Sequence, residues 1–223
     1  MSHSLDPENI KSVILSRKTE KVLGNLENAP VLSEQVLEKN RQIVLDALET
    51  AGWAPFHFPR NANGLAEPWR AHVLWQSETQ RLAKYLKNDR KVASKEPLLC
   101  AGCNALVIVT WLPEFYTEAQ RAGTRLKEEA QRTRDEEHLA ATSAMIQNLL
   151  LLLTAHKMGN YWSSGGILRT PEILKKIGAS AKERLLGAIF IEYPEAVDLS
   201  KDRKPGALRE SRSQRWIREA TLT

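Results

Sequence analysis

The chain has 223 residues, a net charge of +5, 42% hydrophobic residues and 26% charged residues. That is enough apolar material for one sizeable core, and it excludes a mostly disordered protein. Acidic residues are interspersed with the basic ones, so most of the charge reads as a solvated surface, with an anionic ligand as the partner a basic balance would suit. Two cysteines exclude a disulfide framework and make a reducing cytoplasm the expected setting. The polar stretch 1–9 does not read as a secretory signal.

Asp6-Pro7 marks a helix start, and Ile10 to Leu15 forms the short helix that follows. Ser33 caps a second helix. Its apolar positions Val36, Leu37, Ile43, Val44, Ala47 and Leu48 keep helical spacing, and Gly52 ends it. Ala54 to Pro68 is a long loop, and loops of that length in a compact domain are usually functional or disordered. Its aromatics and Arg60 argue against disorder. Ala71 to Trp75 reads as a strand, Ser77 to Lys87 as a helix and Ala105 to Trp111 as a buried strand.

Glu114 to Arg134 is a charged helical segment. Glu137 to Lys157 is a helix apolar over most of its circumference, and therefore central. Its most apolar part, Met145 to Ala155, is interrupted by Gln147, Asn148 and Thr154 and is too short to span a bilayer. Tyr161-Trp-Ser is a short strand, Gly165-Gly166 a break, Thr170-Pro171 a helix start and Gly187 to Tyr193 a last strand. A polar, basic tail closes the chain. Strands separated by helices without regular β-α-β alternation predict a three-layer or α+β domain rather than a doubly wound one.

Cys100-Ala-Gly-Cys103 has neither a second cysteine pair nor a histidine cluster to complete a zinc site, and it leads into a strand. Buried, inert thiols at a strand entrance are the expectation. The five histidines form no HExxH, Ser-His-Asp or metal arrangement. Dinucleotide and phosphate-loop glycine motifs are absent, so a cofactor would have to be held by scattered groups.

Five separated patches do share a pattern. They are Ser16-Arg-Lys-Thr-Glu-Lys21; Ala54-Pro55 with Glu67-Pro-Trp-Arg70; Asn88-Asp-Arg-Lys91; Asn148-Leu-Leu-Leu with Met158 to Gly166; and Lys201-Asp-Arg-Lys-Pro205. In order and rough spacing they resemble the nitroreductase family. The resemblance implies a nitroreductase-like fold: a central mixed, mainly antiparallel sheet flanked by helices, in one domain over 1–223. It also implies an intertwined homodimer with FMN at the interface and residues 195–223 as an extension wrapping the partner. The implied activity is ping-pong electron transfer from NAD(P)H through flavin N5 to a small organic acceptor, with no catalytic side chain because the flavin does the chemistry.

The resemblance also implies the cofactor-binding residues. Arg17, Lys18, Lys201 and Arg203 would hold the phosphate, with Lys204 as a substitute one residue on. Thr19 and Pro55 belong to the matching segments. Lys21 and Lys91 would lie near the ring, Asn88 near its pyrimidine, and Ser164, Gly165 and Gly166 would line it with backbone. Glu67 stands where the family usually has Gln, which removes an amide donor and adds a charge. The loop after Pro55 is longer, more aromatic and more basic than the family's. Phe56, His57 and Arg60 of this loop, and Phe115 of the segment after the Ala105–Trp111 strand, are the candidate substrate contacts, although the aromatics equally suit packing and His57 better suits solvent. Two alternatives remain at this point: a non-catalytic FMN store or sensor, and a basic nucleic-acid binder using the Arg-rich tail beside Trp216.

Overall fold

The computed structural model describes residues 6–27, 31–60, 64–114, 119, 122–123, 128–199, 203–206 and 216–220. Helix α1 (Pro7–Ser16) starts where the sequence indicates, with the Asp6 carboxylate accepting from the Glu8 N–H at 3.0 Å. A short strand β1 (Glu20–Val22) follows. Helix α2 (Glu34–Ala51) is capped by the Ser33 hydroxyl and ends at Gly52. Strand β2 (Trp69–Trp75) leads into α3 (Gln76–Lys84), which widens into a π-helical turn over Tyr85–Asp89.

Helix α4 (Glu96–Gly102) precedes strand β3 (Ala105–Trp111). Helix α5 (Glu128–Ala155) is continuous across the boundary at 134–137 expected from composition. Neither Gly nor Pro interrupts that stretch, so nothing there ends the helix. Strand β4 (Gly159–Ser163), a 3-10 turn (Gly166–Arg169), α6 (Pro171–Lys176), β5 (Arg184–Glu192), a second 3-10 turn (Pro194–Leu199) and β6 (Arg203–Pro205) complete the order.

The main sheet runs β2-β3-β5-β4, and every pairing among the described strands is antiparallel. Side chains alternate between its faces, and the chain uses both. Ala105, Val107 and Val109 of β3 with Ile189 and Ile191 of β5 pack against α2 and α5. Leu106, Ile108, Ala188 and Phe190 pack against α3, α4 and α6. The result is a three-layer arrangement with two cores, as the near-continuous apolar run of β3 requires. Helix α5 is by length and composition apolar enough to cross a membrane. In this fold its Met145, Ile146, Leu149, Leu150 and Leu153 are the centre of the first core.

Three elements escape the sequence reading. Helix α4 carries Cys100, so the cysteine pair spans the end of that helix, and Cys103 stands just ahead of the entrance to β3 as expected. The thiols are free, at 0% and 3% exposure, and burial pushes Cys100 well up and Cys103 up to about 12. Inert thiols follow from that. Strands β1 and β6 were also not foreseen. They pair antiparallel with Lys21 opposite Lys204 and Val22 opposite Arg203. Part of the expected C-terminal extension thus lies against its own chain, as does Glu195, which accepts from Lys39 and Asn40 of α2.

A polar knot holds the open edge of the sheet. Glu183, just before β5, accepts from His72 of β2 at 2.6 Å, from the Thr110 hydroxyl and from the Ser180 N–H. Burial disfavours its charge, but these donors outweigh it and hold the carboxyl at about 2. A depressed folded-state value means stabilisation that is complete above the ordinary value of 4.5 and is lost as pH falls toward about 2. The side chain is 7% exposed. The stability difference between wild type and Glu183→Gln, measured by urea unfolding, should therefore shrink by on the order of 3 kcal/mol between neutral pH and pH ~2. A difference independent of pH would dissolve the knot's role.

Candidate active site

Pairing of β1 with β6 brings the first and fifth patches, almost the full chain apart in sequence, onto one ribbon. Its β1 strand lies beside β4, and the Lys21 ammonium sits over the Tyr161 ring at 4.8 Å from the centroid. Beneath the ribbon is a cavity of about 260 Å³ lined by Lys21, Lys95, Glu96, Tyr161, Ser163 and Lys204, among others. Arg17, Lys18 and Thr19 lead into the ribbon and are half-buried. Lys18 pairs with Glu20 at 3.3 Å, and the Thr19 carbonyl accepts from the Gly206 N–H. Arg203 is placed by its backbone in β6, whereas Lys201 lies outside the described residues.

The glycine patch follows β4 and lies against Glu96, one of the residues that line this cavity. Gly165 and Gly166 have φ of +100° and +50°, which disfavour any other residue. A Cβ on Gly166 would fall 2.0 Å from Glu96 Oε1, so any side chain there would displace the Glu96 carboxylate. The Gly165 N–H is bonded to Ser163 Oγ at 3.1 Å. Gly166 opens the 3-10 turn, where the first backbone N–H groups lack partners within the turn. Ser164 is exposed, and its carbonyl accepts from Arg169.

Asn88 and Lys91 are exposed and do not line this cavity. The π-helical turn ends beside them and Lys91 adopts φ +52°, a left-handed bend that redirects the chain. Four residues on, Lys95 and Glu96 reach the cavity instead. Sequence spacing drew attention to Asn-x-x-Lys, and no local signal marked the bend. Lys204, weighed only as a substitute for Arg203, lines the cavity directly.

The second patch lies elsewhere. Phe56 and Glu67 line a separate cavity of about 550 Å³ with Trp53, Trp69 and Arg70. Phe56 packs edge-on to Trp69, Pro55 and His57 are exposed, and Trp53 is 87% exposed. Arg60 is not turned to a substrate. Its Nε and Nη2 donate to the Leu112 and Pro113 carbonyls at 3.1 and 2.8 Å, and its Nη1 lies 3.3 Å from Glu114. Glu114 in turn meets His138 Nε2 at 2.9 Å, and its N–H donates to Asp135. The hydrogen bond to His138, helped by Arg60, holds the Glu114 carboxyl below its ordinary range against burial. Arg60 thereby ties the long loop to the end of β3. Phe115 lies outside the described residues.

Among the described residues no group of His, Cys, Asp and Glu is arranged to hold a metal. What the ribbon cavity offers fits a phosphorylated flavin: cations from both chain ends, a bare glycine backbone, and a buried Glu96 oxygen without a partner.

The three-layer α+β arrangement with this sheet is a nitroreductase-like fold. It is shared with a nitroreductase-like family protein from Bacillus cereus, at a TM-score of 0.55 and 21% identity over 86% of this chain and 88% of that one. A nitroreductase with bound FMN from Desulfitobacterium hafniense DCB-2 also has a TM-score of 0.55, with 15% identity over 95% and 98% of the two chains. No family profile matches the chain. In sequence it is 31% identical over 169 residues to the Bacillus subtilis (strain 168) protein named NAD(P)H nitroreductase YfhC, covering 73% of this chain and 78% of the relative. The chain belongs to the nitroreductase family.

Proposed function

We propose that this chain is an FMN-dependent oxidoreductase that carries electrons from NAD(P)H to a small organic acceptor, such as a nitroaromatic or a quinone, in ping-pong order. The observation that carries this reading is the cavity in which both chain ends and three lysines meet, with the glycine turn against its Glu96. Bound FMN would supply the redox chemistry by taking hydride and releasing electrons to the acceptor. Arg17, Lys18, Lys201 and Arg203 hold its phosphate, with Thr19 and Lys204 on the same ribbon. Gly165, Gly166 and Ser164 present backbone to its ring. Lys21, joined by Lys95, places positive charge at the ring's N1/O2 edge, and such charge favours the anionic reduced state.

The reading includes a homodimer. Phe56 and Glu67 line a cavity that shares no lining residue with the ribbon cavity, and Pro55 lines neither. A second copy would bring that loop to the flavin of the first. Apolar side chains exposed on the single chain, Trp53 at 87%, Ile10 at 54% and Ile14 at 51%, suit coverage by that copy. Light scattering at low micromolar concentration should give twice the chain mass of 25.2 kDa.

The deciding experiment is the visible spectrum of the purified protein followed by NAD(P)H oxidation with and without an acceptor. Flavin bands with turnover support the reading, bands without turnover support a flavin store, and a colourless protein that FMN does not colour rejects both. The ring cations add a sharper expectation. Flavin-saturated Lys21→Met and Lys95→Met should have reduction potentials lower by tens of millivolts, with about 30 mV equal to roughly 1.4 kcal/mol for two electrons. Potentials equal to wild type in both would make these lysines surface cations.

A further inference from the structure

We propose that Glu96 accepts a hydrogen bond from the imide N3–H of the flavin ring, and so reads the pyrimidine edge of the cofactor. The assignment rests on the flavin reading above. It starts from one carboxylate oxygen: among the described residues, the buried Glu96 Oε2 receives no hydrogen bond. An ionised carboxylate can only accept, and a buried one left without a donor is costly, so its complement must bring an N–H or O–H. Glu96 lines the ribbon cavity, and its Oε1 lies where a Cβ on Gly166 would stand.

The neighbours of Glu96 determine what that complement is. Lys95 precedes it and lines the same cavity, and Gly166, with its backbone N–H, lies against its carboxylate. Lys95, Glu96 and Gly166 therefore offer donor, acceptor, donor. The pyrimidine edge of an oxidised flavin presents the reverse series, with the O2 acceptor, the N3–H donor and the O4 acceptor in a row. N3–H is the only donor on the oxidised ring system. The Lys21 ammonium already lies over the Tyr161 ring, 4.8 Å from its centroid. No residue pattern marks this role, because Glu96 precedes Pro97 at a helix start, where an acidic residue needs no further explanation.

The test compares FMN with 3-methyl-FMN, which lacks the imide proton, by flavin fluorescence quenching on wild type, Glu96→Gln and Glu96→Ala. A charge-assisted contact of this kind corresponds to about 10- to 100-fold in affinity. Wild type should prefer FMN by that factor, Glu96→Gln by clearly less, and Glu96→Ala should bind the two flavins alike. Glu96→Gln keeps the shape of the side chain, so a preference undiminished in it would mean that the methyl group is rejected by size alone, which overturns the assignment. Equal binding of both flavins by wild type overturns it as well. Failure of wild type to bind FMN at all would remove the flavin reading itself, and the assignment with it.

Discussion

Glu114→Ala should lose about 3 kcal/mol of stability, the low end for removing one partner of a buried charge cluster. For a chain of this size that is a fall in Tm of roughly 6–12 °C. The reason is what the truncation leaves behind. His138 is 1% exposed and the Arg60 side chain 14%, and both turn to Glu114. Without the carboxylate, each is a polar group held away from water with one contact missing. Arg60 keeps its bonds to the Leu112 and Pro113 carbonyls, so the loop should loosen rather than detach. Glu114→Gln retains one acceptor and should lose less. Acid acts in the same direction. The folded-state carboxyl is depressed, so its stabilisation is present above the ordinary carboxylate range and disappears as pH falls through the lowered value. Thermal unfolding of the two variants at neutral pH checks the ranking, and a Glu114→Ala protein within 0.5 kcal/mol of wild type would show that the cluster carries no stability.

How much of this was legible beforehand depends on the range of the interaction. Local signals served well. Asp6-Pro7, Ser33 and Gly52 set helix ends, and the β3 strand has the bounds its apolar run predicts. The first and fifth family patches overlap the two strands of the ribbon, Glu20–Val22 and Arg203–Pro205, because both are short runs with characteristic spacing. Their pairing as β1 and β6 was not legible, since three-residue strands have no periodicity to read. The same limit hid the Arg60–Glu114–His138 cluster, whose members come from a loop, a strand end and a helix. Arg60 looked like a substrate contact because a basic residue in a long loop usually has work at the surface. Only the fold shows its donors facing inward. Lys95 and Glu96 were hidden by the bend at Lys91, a conformation that no residue type at that position announces.

The ribbon also shapes the largest binding effect expected. Arg17→Ala and Arg203→Ala should each raise the FMN dissociation constant about 10- to 100-fold, the loss of one charge-assisted contact to a phosphate. The two residues belong to patches nearly the length of the chain apart, and the β1–β6 pairing brings those patches together. Because the pairing is made by backbone, either side chain can be truncated without dismantling the ribbon, so the variants test charge rather than fold. Riboflavin supplies the control. It has the same ring as FMN and no phosphate, so its weaker binding should be the same in wild type and in both variants. FMN affinity would then fall toward that of riboflavin, and the gap between the two ligands measures what the cations contribute. Raising salt should narrow the gap in wild type, since partly exposed charges are screened. Should riboflavin binding weaken in step with FMN binding in both variants, the arginines support the ribbon or the ring, and the phosphate must be held by other residues.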